Sequence, residues 1–230
     1  MVAESAVPPR GAVVPGISLA NPQWLAERIA DMGISWGTGH SRVSGTLWWC
    51  MAASSLIDPI TTAYAEGRRP HRPDLEHLEC EIRPDGGVER VRPILRDPAA
   101  DEAVLPETTS LGSNAPAAIG IALRDSVSRI VPAVAEVSGA SVASLWAIAA
   151  DTIGNRALDA GDPEAGTRLA HDVAGRLPLP RFADVGGRTF VRRISCCLVF
   201  EVPGCRMCTS CPKRPNAERD ELLAELAARS

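Results

Sequence analysis

Lysine is almost missing from this 230-residue chain: Lys213 stands alone, and the rest of its 24 basic residues are arginines. With 28 acidic residues the formal net charge is −4. No basic run offers the stripe that a phosphate backbone attracts, so nucleic acid is excluded as an expected partner. Aromatics are also few, at 4 %, and five of the nine are Trp; the core must therefore rest on Ala, Val, Leu and Ile. The longest apolar run, Leu47 to Ile57, falls far short of the roughly 20 residues a membrane helix needs, so no membrane span is expected. Residues 1–16 lack the basic start and apolar stretch of a secretory signal. A soluble, cytoplasmic protein is the expectation.

Several catalytic signatures are missing too. Gly37-Thr38-Gly39 is not followed by the third glycine of a dinucleotide fingerprint, and there is no phosphate loop, so flavin or nicotinamide binding has no support. No G-x-S-x-G nucleophile setting occurs. His40, His71, His77 and His171 are isolated and lack metal-ligand spacing. Glu79 and Glu81 share one face of a short strand, where paired carboxylates read as its wet side.

The remainder has the composition of an ordinary globular protein, 45 % hydrophobic and 23 % charged. Residues 1–20, with Pro8, Pro9 and Pro15, read as a flexible leader. Residues 21–187 read as a helical scaffold with a β-hairpin, and residues 188–230 as a cysteine-bearing region with a terminal helix. Asn21-Pro22 offers a cap and first-turn pair for a helix ending near Gly33. After a polar turn over 37–45, the stretch from Thr46 to Ile57 is apolar on nearly all sides and marks a buried helix. Asp58-Pro59 ends or kinks it. Trp48, Trp49 and Trp146 sit in such apolar runs, which favours core packing over a ligand pocket.

Leu78–Ile82 and Val88–Val91 alternate around Asp85-Gly86-Gly87 and predict a hairpin. Residues 96–112 form a linker. Three helices are expected next, from Asn114 with a kink before Pro132, from Ser141 to about Gly161, and from Pro163 to Leu177. Arg188 to Val202 reads as a strand, and 216–228 as a charged helix. The fold class is mainly α (α+β): a helical scaffold, a small antiparallel β hairpin or sheet, and a C-terminal cysteine motif.

That motif carries the chemistry. Of seven cysteines, five crowd into the sixteen residues from Cys196 to Cys211, and in a reducing compartment such a cluster binds metal more often than it forms bridges. Cys208-Thr209-Ser210-Cys211 is a chelating turn whose amides can point at sulfur. Cys196-Cys197 is odd, because adjacent side chains on a strand face opposite ways. Both can serve one cluster only if the backbone bends there. A two-iron cluster spreads its ligands over two centres; a four-iron cluster using Cys205, or a closed zinc site of four cysteines, stays open. Cys50 and Cys80 read as buried, inert thiols.

The spacing C-C-x10-C-x2-C, with Phe190 to Ser195 leading in and Pro212 after, resembles the ferric-siderophore reductase family of the ferric hydroxamate (FhuF) type. More loosely, Arg42 to Pro59 and Ser141 to Ile153 resemble its helices. The resemblance implies a [2Fe–2S] cluster on Cys196, Cys197, Cys208 and Cys211 as both metal and cofactor site. It also implies one-electron reduction of siderophore-bound ferric iron, hydroxamate chelates favoured, and an external electron donor such as a ferredoxin-like protein. Cys205 stands where the family has a small residue. Positive charge from Arg188, Arg192, Arg193, Arg206 and Arg214 would raise the cluster potential. The competing readings are a [2Fe–2S] electron carrier or redox sensor, and a structural zinc domain.

Overall fold

The computed structural model describes residues 11–94 and 115–229, which form six α-helices and two small antiparallel sheets. The expected linker at 96–112 lies outside the described residues.

Strand β1 (Ala12–Pro15) leads into helix α1 (Pro22–Trp36). Asn21 caps α1 by accepting the Trp24 amide with its side chain, Pro22 takes the first-turn position, and Gly37 at φ 65° closes the helix. The helix thus runs a turn beyond Gly33. The polar turn expected over 37–45 is confined to 37–40; helix α2 (Ser41–Ala65) takes in the rest, and it continues through Pro59. It is the central column of the fold. α1, α3 (Ala115–Ser138), α4 (Val142–Asp159), α5 (Pro163–Val173) and β3 (Val88–Pro93) all pack on it. Burial on every side explains why its sequence has no polar face. α3 likewise continues through Pro132, and α5 stops at Val173, short of Leu177.

The tryptophans are core. Trp48 and Trp49 are fully buried. Each spends its indole N–H on a buried carbonyl: Trp48 on Gly86 O at 3.0 Å and Trp49 on Leu145 O at 2.8 Å. The first ties α2 to the turn before β3, the second to α4, so neither ring pays for an unmet donor. Trp146 is 3 % exposed.

β2 (Leu78–Ile82) lies between β1 and β3. The hairpin appears where alternation predicted it, with a register irregularity at Glu81/Ile82. β1 pairs Ala12 with Ile82 through to Pro15 with Glu79; proline there is compatible with an edge strand. A second hairpin, β4 (Phe182–Val185) and β5 (Arg188–Val191), turns at Gly186-Gly187, both at positive φ. The long strand expected over Arg188–Val202 is therefore a correction: β5 ends at Val191, and the chain then enters an irregular loop with a 3-10 turn at Val199–Glu201. Helix α6 (Asn216–Ala228) follows and packs on β4. Among the described residues no helix is long and apolar enough to cross a membrane.

Candidate metal centre

Arg192 N still bonds Arg181 O at 2.8 Å, and beyond it the backbone donors of Ile194 and Ser195 are claimed by a side chain instead of a strand. Asp151 lies in the apolar run of α4 and is 2 % exposed. It accepts Ile194 N at 2.8 Å and Ser195 N at 2.9 Å, one on each carboxylate oxygen. A buried carboxylate must be paired to be tolerated. This one is met by two amides and by the Arg193 guanidinium, whose Nε is 3.8 Å away. Desolvation pushes the Asp151 carboxyl up, and the two amides and then Arg193 oppose that rise.

Past this clamp the chain bends as a cysteine pair on one cluster requires. Leu198 adopts φ 62°, a left-handed conformation costly for a branched residue. The turn aims Leu198 N at Cys196 Sγ, 3.4 Å away, and Val199 N at Cys197. Adjacent side chains that would diverge on a strand thus stay near enough for each thiol to shift the ionisation of the other.

The second pair arrives on a separate turn, closed by Cys211 N to Cys208 O at 3.2 Å. Cys211 Sγ lies 3.7 Å from Cys196 Sγ. Cys208 Sγ accepts from Arg193 Nη1 at 3.5 Å, and the same nitrogen reaches Cys197 Sγ at 3.8 Å. Arg214 fixes the turn from outside, donating to Cys208 O at 3.0 Å and Met207 O at 2.8 Å while pairing with Glu218 of α6.

Electrostatics follow the contacts. Hydrogen bonding from the Cys196 thiol, the Val199 amide and Arg193 pulls the Cys197 thiol well below the ordinary range against its burial. Cys196 is pushed up by the same contact with Cys197 and by burial. Burial opposes the charge of Arg193, but Cys197 next to it, with Cys50 and Cys208, holds the guanidinium firmly protonated.

All four expected ligands are therefore brought together. Cys196 and Cys211 are buried, at 9 % and 1 % exposure, whereas Cys197 and Cys208 are half-buried. Cys205, partly buried, shares no hydrogen bond with the other four sulfurs among the described residues. Of the five arginines, Arg193 contacts sulfur and Arg214 contacts the turn; Arg188 lies over the Phe190 ring at 5.1 Å, and Arg192 and Arg206 are exposed.

Cys80 is fully buried and pushed up to about 12 by desolvation. Cys50 is half-buried, and it shares with Cys197, Asp151 and Arg193 the wall of a cavity of about 220 Å³. Burial pushes it up to about 12 as well, with the Cys197 charge adding. Sequence reasoning missed Asp151 altogether. Its signal was a single carboxylate inside the run LWAIAAD, an arrangement that demands a buried partner.

The donor set fits an iron–sulfur cluster. It offers four soft sulfurs, amide donors aimed at two of them, and one cation shared by two. Among the described residues no three His, Cys, Asp or Glu side chains converge as the ligands of a single ion would. Ligands divided between two iron centres do not need to.

Comparison with known proteins bears on the same segment. Residues 193–213 match the family model for the FhuF 2Fe-2S C-terminal domain. This agrees with the resemblance carried by the cysteines, and identifies the cofactor as a [2Fe–2S] cluster rather than a four-iron cluster or zinc. No curated protein and no solved structure matches the chain significantly.

Proposed function

We propose that this chain reduces ferric iron held by a siderophore, hydroxamate chelates favoured, by one electron, and that Cys196, Cys197, Cys208 and Cys211 are the ligands of its [2Fe–2S] cluster. What supports the reading above all is the gathering of those four sulfurs inside the matched segment, two of them on Arg193 and two in contact with each other. Bound there, the cluster supplies electrons singly, the difference between ferric and ferrous iron.

The substrate's own chemistry does the rest. Hard oxygen ligands grip ferric iron tightly and ferrous iron weakly, so one electron frees the metal. On the protein side, Cys196 and Cys211 are buried away from water, and Cys197 and Cys208 form the half-buried side toward which a chelate can dock. Arg193 offsets thiolate charge. The exposed Arg192, Arg206 and Lys213 supply local positive charge that attracts anionic complexes to a chain of net negative charge. An external one-electron donor of the ferredoxin type supplies the electron, and iron is released in the cytoplasm.

The test is anaerobic. The photoreduced protein is mixed with ferric hydroxamate, catecholate and citrate chelates, and ferrous iron is trapped with a ferrous-specific chelator. The reading expects stoichiometric reoxidation with ferrous release, fastest for a hydroxamate. A cluster that exchanges electrons with a ferredoxin yet leaves every ferric chelate intact would make the protein an electron carrier instead.

A further inference from the structure

The four sulfurs are not equivalent. Cys196 Sγ and Cys211 Sγ stand 3.7 Å apart. Two thiolates on one tetrahedral metal at about 2.3 Å metal–sulfur are separated by ~3.7–3.8 Å, the edge of that tetrahedron. Their spacing is already that of ligands to a shared centre. Cys197 and Cys208 are linked differently, through Arg193 Nη1 at 3.8 and 3.5 Å. Cys208 and Cys211, although close in sequence within a chelating turn, have no sulfur–sulfur bond among the described residues; their link is the backbone bond from Cys211 N to Cys208 O at 3.2 Å.

We infer that the ligands divide across the Cys208-x-x-Cys211 turn, with Cys196 and Cys211 on one iron and Cys197 and Cys208 on the other, and that Arg193 makes the second iron the one that accepts the electron. This rests on the proposal that these four cysteines are the ligands.

The physical reason is the placement of one charge. A cation favours the reduced state of whatever lies closest to it, and in a poorly solvated site that preference falls off with distance. Arg193, with its side chain 15 % exposed, hydrogen-bonds the Cys197 and Cys208 sulfurs and neither of the other two. Hydrogen bonds to thiolate ligands raise a cluster's potential. Solvent exposure has the same sense: the Cys197 and Cys208 side is half-buried and the Cys196 and Cys211 side is closed. Asp151, across from Arg193, holds the guanidinium in place and so acts on the pair indirectly. Both arginine and aspartate are positioning residues.

The step balances simply. One electron from the external one-electron donor converts one ferric ion of the pair to ferrous, with no bond broken and no proton moved. The same electron then passes to the ferric ion of the chelate, which restores the oxidised pair.

The experiment loads the full chain with ⁵⁷Fe, counts iron and sulfide, and records the midpoint potential and the Mössbauer spectrum of the reduced protein for wild type, Arg193→Gln and Arg193→Lys. Arg193→Gln should lower the potential and alter the ferrous doublet while leaving the ferric doublet in place. Arg193→Lys, which keeps the charge, should lower the potential less. An unchanged potential in Arg193→Gln, or a change confined to the ferric doublet, overturns the inference. Should Arg193→Gln assemble no cluster, Arg193→Lys is read by the same two doublets. In whatever cluster Cys208→Ser and Cys211→Ser retain, the first should perturb the ferrous site and the second the ferric one; both perturbing one site would refute the division. A wild-type protein without iron and sulfide instead removes the proposal beneath it.

Discussion

The carboxylate of Asp151 accepts the backbone N–H of Ser195 at 2.9 Å, immediately before the cysteine pair. With Ile194 N on its other oxygen, it is the buried anchor from which the metal-binding loop hangs. Asp151→Asn keeps the size but turns an NH2 group toward one of the two amides and removes the charge facing Arg193. Breaking a buried, charged hydrogen-bonded pair costs about 3 kcal/mol. The variant should fold less stably, measured by urea unfolding, and should bind less iron per chain; unaltered iron content would show that the clamp does not position the cysteines.

Cys205 and Cys208 lie close in sequence but stand differently toward the other sulfurs. Only Cys208 shares Arg193 with Cys197. Cys208→Ser should therefore lose most of its iron and visible absorbance, whereas Cys205→Ser should retain both. Iron and acid-labile sulfide assays decide it, and equal loss in the two variants would contradict the ligand assignment.

Arg214 donates to the carbonyls of Met207 and Cys208 and binds no sulfur. Removing it takes a donor from Met207 O, at about 1–3 kcal/mol if that acceptor stays unmet, and leaves Cys208 O with the Cys211 amide alone. Arg214→Ala should assemble the cluster, yet bleach several-fold faster in air, followed as the decay of visible absorbance. A bleaching rate equal to wild type would show that the turn is rigid without it.

Gly45 marks where α2 crosses the end of α3. A Cβ built there would sit 2.3 Å from Ser138 Cβ and 2.6 Å from its Oγ. Ser138 has little freedom to retreat, since its hydroxyl donates to Val134 O at 2.6 Å and accepts Ala140 N at 3.1 Å. Replacing a helical glycine by alanine is worth about 1 kcal/mol on propensity, but overpacking costs about 1–3 kcal/mol. The clash should prevail, and Gly45→Ala should unfold at lower urea concentration; a stabilised variant would show that the crossing can relax.

The helical scaffold was legible because periodicity, caps and glycines agree along it. Asn21-Pro22, the apolar run around Trp48 and Trp49, and Ser141 each announce a helix with a local mechanism. The cysteine spacing announced the metal centre in the same way. What the sequence concealed depends on contacts distant along the chain. Val-, Ile- and Phe-rich residues after Arg188 have strand propensity, yet Asp151, some forty positions earlier, takes the amides that a strand would have used. β1 was hidden for a related reason: Ala12–Pro15 is short and carries no alternation of its own, and only the exposed edge of β2 makes it a strand. The cavity that Cys50 shares with Cys197 was hidden because nothing within α2 reveals it.

The central claim is that four C-terminal cysteines hold a two-iron cluster that serves ferric reduction, and its most direct test is the protein purified without oxygen. Iron and sulfide analysis, the visible spectrum and EPR after dithionite reduction are read together. The account predicts a red-brown protein with about two irons and two sulfides per chain, EPR-silent as isolated and EPR-active once reduced. A colourless protein with about one zinc per chain and no labile sulfide would contradict it, leaving a closed structural site with no electron to give.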